Sequence, residues 1–216
     1  MNAITSVSKF FGEYAGEFDG IYGTKRTLLN GMINKVFRKS MLLRFKKTLE
    51  GCQPIVGKTV VDIGCGPGHY AIALAKSGAD KVVGIDFAES MLDLARKHAL
   101  EAGVAHKCNW MNCDFIQYPV DQRFDYAIVM GVMDYIAQPR PLVEKILSVT
   151  ARRAFFSFPL AGGLLGWQRQ IRYRKRCPLF MYTLAQVESL FPAASRTRVS
   201  TQRIARDLLV SVDLDN

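Results

Sequence analysis

Apolar residues recur at three- and four-residue steps from Ala3 to about Leu49, among them Leu28, Leu29, Met32, Ile33, Val36 and Phe37. That period predicts an amphipathic helical preface. A turn-forming segment with Pro54 follows between Gly51 and Gly57, and the rhythm then changes. For about a hundred residues short apolar runs alternate with helical periodicity. The runs predict strands at Thr59 to Ile63, Lys81 to Ile85, Lys107 to Met111, Tyr126 to Met130 and Ala154 to Phe158. Tyr70 to Ser77, Glu89 to Glu101 and Pro141 to Val149 carry the helical period between them. Such alternation predicts an α/β domain, a parallel sheet wrapped by right-handed helical crossovers. Near the carboxyl end the pattern predicts a helix at Leu184 to Phe191 and strands at Thr197 to Thr201 and Asp207 to Val212. Pro159 to Tyr182 breaks the rhythm with a Gly-rich turn and a basic aromatic run, which reads as an insertion after the fifth strand.

Length and composition narrow the class. A chain of 216 residues, 49% hydrophobic, supports one sizeable core. Lys, Arg or Asp interrupts every apolar stretch, so no transmembrane helix is expected. The opening residues lack the pattern of a secretory signal, and the expected compartment is the cytoplasm. Five cysteines and three histidines show no zinc-type spacing, so no metal site is expected. The net charge of +10 is concentrated: no acid occurs between Asp19 and Glu50 or between Glu144 and Glu188. Such basic stretches attract anions, and Thr24 to Lys47 is a candidate for peripheral contact with a membrane or partner. A solvated basic surface explains the same charge.

The chemistry concentrates at the ends of two strands. Val60-Val61-Asp62-Ile63-Gly64-Cys65-Gly66-Pro67-Gly68 is an apolar strand that ends in an acid and enters a glycine-rich turn. Glycines let backbone pass closely beneath a nucleotide-like ligand. The second strand, Val82-Val83-Gly84-Ile85-Asp86, delivers a carboxylate where Rossmann-like folds hold ribose hydroxyls. A nicotinamide site favours G-x-G-x-x-G, whereas here Gly64, Gly66 and Gly68 alternate and Pro67 intrudes.

With those motifs the stretch Thr59 to Phe158 resembles the class I S-adenosylmethionine-dependent methyltransferases, small-molecule type (the methyltransferase 11/12/25-like group), whose first motif reads D-x-G-C-G-x-G. The resemblance implies a Rossmann-like, seven-stranded, mostly parallel sheet with helices on both faces and strand order 3-2-1-4-5-7-6. It implies an amino-terminal helical lid or extension over residues 1–50, and a methyltransferase domain over 51–216 with its insertion at 159–182. The implied cofactor is S-adenosylmethionine, with S-adenosylhomocysteine as product. Asp62, Gly64, Cys65, Gly66 and Gly68 would support its methionine part, and Asp86 its ribose. Phe87 and Met91 would pack near adenine, Asp114 and Phe115 match the motif that receives the adenine amino group, and Met130 and Gly131 would line the methionine moiety. Tyr14, Phe18 and Tyr22 match an aromatic preface that folds over the cofactor. Ile21-Tyr22-Gly23 with the basic residues after it is loosely similar to magnesium-protoporphyrin methyltransferases.

The implied activity is methyl transfer to an O, N or C atom of a small-molecule acceptor, anionic or amphipathic in view of the basic stretches. Family members often carry histidines where this chain has Asp134 and Tyr135. Those two are the candidates for orienting or removing an acceptor proton; structural hydrogen bonding at a helix start is the competing reading. An RNA acceptor is a second reading, disfavoured because Met130-Gly131-Val132-Met133 is unlike an N-P-P-Y motif. A third is a scaffold that keeps the fold without transfer activity. The acceptor and the oligomeric state are not legible in the sequence.

Overall fold

The computed structural model describes residues 31–162, 179–191 and 198–214. Tyr14, Phe18 and Tyr22, and the middle of the proposed insertion, lie outside them. Helix α1 (Gly31–Gly51) precedes β1 (Thr59–Ile63), α2 (His69–Lys76), β2 (Lys81–Asp86), α3 (Glu89–Glu101) and β3 (Cys108–Asn112). Then come β4 (Phe124–Val129), α4 (Pro139–Ser148), β5 (Thr150–Pro159), α5 (Leu184–Leu190), β6 (Arg198–Ile204) and β7 (Asp207–Asp213). The strands form a seven-stranded sheet in the order β3-β2-β1-β4-β5-β7-β6, as the resemblance implied. Strands β1 to β5 run parallel, and β7 pairs antiparallel with both β5 and β6.

Successive strand residues face opposite sides of a sheet, so a strand covered on both faces is apolar throughout. In β1, Val61 and Ile63 join the layer of Leu142, Val143 and Ile146 from α4 and Val187 and Leu190 from α5. Val60 faces the other way, toward Tyr70 and Leu74 of α2 with Phe45 and Leu49 of α1. The Phe45 and Tyr70 rings lie 4.9 Å apart and seat α1 on α2.

Element positions follow the hydrophobic pattern, and the boundaries move where long-range pairing decides them. Strand β5 begins at Thr150 rather than Ala154, because Thr150 pairs with Phe124 of β4 and Arg153 with Asp213 of β7, while Arg153 also donates to the Gly51 carbonyl at 2.9 Å. Strand β6 continues to Ile204 in register with β7. The segment leaving β5 and the one returning to α5 meet: the Tyr182 amide donates to the Pro159 carbonyl at 2.9 Å and the Ala161 amide to the Tyr182 carbonyl at 2.8 Å. Tyr182, at the end of the basic aromatic run, is buried and stacks edge-on against Phe158. No helix among the described residues is long and apolar enough to cross a membrane.

Candidate active site

Strand β1 is central, and its carboxyl end carries the turn Gly64 to Gly68 before α2. The three alternate glycines have different neighbours. A Cβ on Gly64 would meet Val132 Cγ2 at 2.3 Å, so that position admits the chain leaving β4. One on Gly68 would strike the Trp110 ring at 2.7 Å. At Gly66 a Cβ would meet nothing within 4 Å, and φ there is +51°. Across the sheet edge Gly131, after β4, has φ +77° and the same open space in front of it. Two glycines in the left-handed region thus stand beyond the carboxyl ends of the neighbouring parallel strands β1 and β4, where the strand order reverses and open α/β sheets form a crevice, each with open space where a side chain would be.

Asp86 ends β2 beside that crevice. Its Oδ2 accepts the Gly66 amide at 2.9 Å and its Oδ1 the Ala88 amide at 2.9 Å. The glycine turn and the strand-end acid are therefore one unit. Burial pushes the Asp86 carboxyl above its ordinary range, opposed by the amides of Ala88, Gly66 and Phe87. Asp62 lies deeper, 2% exposed, and accepts the Ala71 amide at 3.2 Å. Burial first, and the Asp86 charge as a lesser cause, push its carboxyl up to about 7. Two neighbouring carboxyls held in low dielectric favour a cationic ligand, whose charge would offset the cost of ionising them.

A family model for a methyltransferase domain matches residues 60–153. The ubiquinone biosynthesis O-methyltransferase of Aliivibrio fischeri strain MJ11 is 34% identical over 104 residues, covering 47% of this chain and 43% of that one. The enzyme of the same name from Serratia proteamaculans is 35% identical over 109 residues, covering 47% and 42%. The crystal structure of magnesium protoporphyrin IX methyltransferase from Synechocystis PCC 6803 with bound SAH superposes with a TM-score of 0.77 at 20% identity, over 98% of this chain and 99% of that one. Residues 60–153 thus match a methyltransferase domain, and the fold is shared with a solved methyltransferase. The matched stretch spans less than half the length of the curated O-methyltransferases.

The remaining expected positions divide into those at the strand ends and those that support them. Phe87 is half-buried just beyond β2, while Met91 is buried on α3 beside Ala88. Asp114 follows β3 and caps its own turn, its Oδ1 accepting the Ile116 amide at 2.9 Å. The Phe115 side chain is committed to the core, with Lys145 Nζ 5.0 Å from its ring centre. Cys65 is buried against the strip between Gly84 and Trp110, and burial holds its thiol well above the ordinary range. Its side chain packs inward, while its backbone belongs to the glycine turn. Met130 and Gly131 leave β4 at the open edge. Asp134 and Tyr135 lie in a short 3-10 turn, Met133–Tyr135, where Asp134 is buried and Tyr135 half-buried. That turn is held from behind: the Tyr182 hydroxyl donates to the carbonyls of Met133, at 3.1 Å, and Ile136, and the Phe180 amide to the Asp134 carbonyl at 2.8 Å.

Three residues at the site were not singled out from the sequence. Trp110 of β3 lies over Gly84, where a Cβ would strike it at 2.4 Å. Ser157 of β5 accepts the Gly131 amide at 2.8 Å, and Arg44 of α1 donates to the same hydroxyl at 3.3 Å. The available signal was Ser157 itself, one hydroxyl in the run Phe155-Phe156-Ser157-Phe158-Pro159, because a polar residue inside an apolar strand needs a partner.

Proposed function

We propose that this protein transfers the methyl group of S-adenosylmethionine to an oxygen of a small-molecule acceptor in the cytoplasm. The observation that carries the reading is the Gly66–Asp86 hydrogen bond at the carboxyl ends of β1 and β2, next to the point where the strand order reverses and where Gly66 and Gly131 each have open space in place of a side chain. A carboxylate oriented by backbone amides retains acceptor capacity for ribose hydroxyls. Open glycine backbone suits the methionine part, and Asp114 suits the adenine amino group. The sulfonium would supply an electrophilic methyl, and the pair of carboxyls at Asp62 and Asp86 matches its positive charge. The chain's own work is to align the acceptor oxygen and exclude water. Asp134 and Tyr135 are the groups proposed to orient the acceptor's proton. Oxygen is favoured over nitrogen or carbon because the curated relatives are named O-methyltransferases. In this reading residues 1–50 are an amino-terminal extension and 159–182 an insertion in the methyltransferase domain.

Calorimetric titration with S-adenosylmethionine and S-adenosylhomocysteine tests it. Both ligands should bind, and Asp86→Asn should weaken each by at least about tenfold while the protein stays folded, since a charge-assisted hydrogen bond is worth about 1.5–3 kcal/mol. Undiminished affinity in that variant sinks the assignment of Asp86. Labelled cofactor incubated with fractionated extract then identifies the acceptor, and label in nucleic acid alone would overturn the small-molecule reading.

A further inference from the structure

Arg44 is an unusual residue for its place: its side chain is only 13% exposed, on a helix that packs over the end of the sheet. Its guanidinium pairs with Asp207 of β7 at 3.5 Å, donates to the Ser157 hydroxyl at 3.3 Å and is hydrogen-bonded with the Tyr70 hydroxyl of α2. Ser157, 2% exposed, accepts the Gly131 amide in turn. Four elements therefore meet around Arg44, and Ser157 passes that arrangement on to the peptide after β4. Buried ionic groups are seldom the most stabilising choice, because an apolar side chain of similar volume often does as well. Their retention here calls for another role.

The Met130–Gly131 peptide is trans, so its carbonyl points opposite to its N–H. The N–H points to β5, where Ser157 lies. In the sheet β4 stands between β5 and β1, so the carbonyl is turned toward the β1 side, whose carboxyl end carries the glycine loop. We propose that Arg44 is a positioning residue: through Ser157 it fixes the Met130–Gly131 peptide so that the Met130 carbonyl faces the amino-acid end of the bound nucleoside. Gly131, with positive φ and no side chain, would otherwise let that peptide rotate. The inference rests on the reading under Proposed function and adds to it a second layer that controls one half of the ligand.

The test compares two ligands that differ in that half. S-adenosylhomocysteine carries the amino-acid end, and 5′-methylthioadenosine lacks it. Titrations of both into the wild-type protein, Ser157→Ala, Arg44→Met and Arg44→Lys should show a split. The first two variants should bind S-adenosylhomocysteine about tenfold more weakly, the loss expected for one hydrogen bond. Binding of 5′-methylthioadenosine should change by less than about twofold, and Arg44→Lys should recover part of the loss. Equal weakening of both ligands, as a merely structural role would give, overturns the proposal, and so does unchanged affinity for S-adenosylhomocysteine. Failure of the wild-type protein to bind either ligand would instead sink the underlying reading.

Discussion

Gly66 and Gly84 show at the level of single residues why a glycine motif is informative only with its surroundings. Gly84→Ala places a methyl 2.4 Å from Trp110 atoms and 3.1 Å from Cys65 Sγ, in the middle of a buried strand. Urea unfolding should show a loss of about 1–3 kcal/mol or more, the range for overpacking. Gly66→Ala meets no atom of the protein, so its cost is the strain of a left-handed backbone, about 1–2 kcal/mol. Its larger effect should be on S-adenosylmethionine affinity, because the added methyl projects into the crevice. Calorimetry and unfolding on the two variants should therefore rank them in opposite orders. The sequence made the Gly64 to Gly68 turn legible, together with Asp62 and Asp86, because backbone approach and carboxylate chemistry depend on residue type at fixed spacing. It could not assign different neighbours to the three glycines, since Val132 arrives from the segment after β4 and Trp110 from β3. Arg44 was legible only as one charge in a basic run, because its partners Ser157 and Asp207 lie far along the chain.

Secondary-structure elements were legible where local periodicity and burial agree. Strand β1 and helix α3 fall at the positions the pattern predicts, and β5 and β6 extend further because their outer residues are fixed by pairing, β5 with β4 and β7 and β6 with β7. Helix α4 carries a function that its amphipathic pattern does not disclose. Lys145 reaches from it to the carbonyls of Phe115, Ile116 and Tyr118, at 2.7, 2.8 and 2.6 Å. One ammonium thus ties down the turn that presents Asp114, a role suited to its three donors. Lys145→Met keeps the aliphatic stem and removes all three bonds. Chemical denaturation should register a loss of about 1–3 kcal/mol, the cost of leaving partly buried acceptors unmet. Amide exchange of Ile116 to Tyr118 should accelerate by more than the global loss explains. Uniform exchange across the domain would count against this local role.

For the molecule as a whole, the acidic pair under the crevice couples stability to pH. Asp62 has a folded-state value raised to about 7 from an ordinary 3.8. The native protein therefore retains a proton that the unfolded chain has released, and this contribution to stability is full below about pH 4 and lost as pH rises through about 7. At most it amounts to about 4 kcal/mol, from roughly 1.4 kcal/mol per pH unit. Asp62→Asn should flatten that slope and be more stable than wild type at pH 8, as thermal unfolding across pH would read. A sulfonium ligand favours the ionised acid, so S-adenosylmethionine should raise the unfolding temperature more at pH 8 than at pH 6. An equal gain at both would sever Asp62 from the cationic end of the ligand.

The indole of Trp110 occupies the notch that Gly84 and Gly68 leave, at the underside of the glycine turn and close to the Cys65 sulfur. The chain thereby carries a built-in optical gauge of crevice occupancy. It has only two tryptophans, so emission is readily dissected: titration with unlabelled S-adenosylhomocysteine should change the intensity or wavelength of the Trp110 signal, and Trp110→Phe, which leaves Trp167, should abolish the response. A silent signal in a protein that binds by calorimetry would mean that loading the crevice leaves the floor beneath the glycine turn undisturbed.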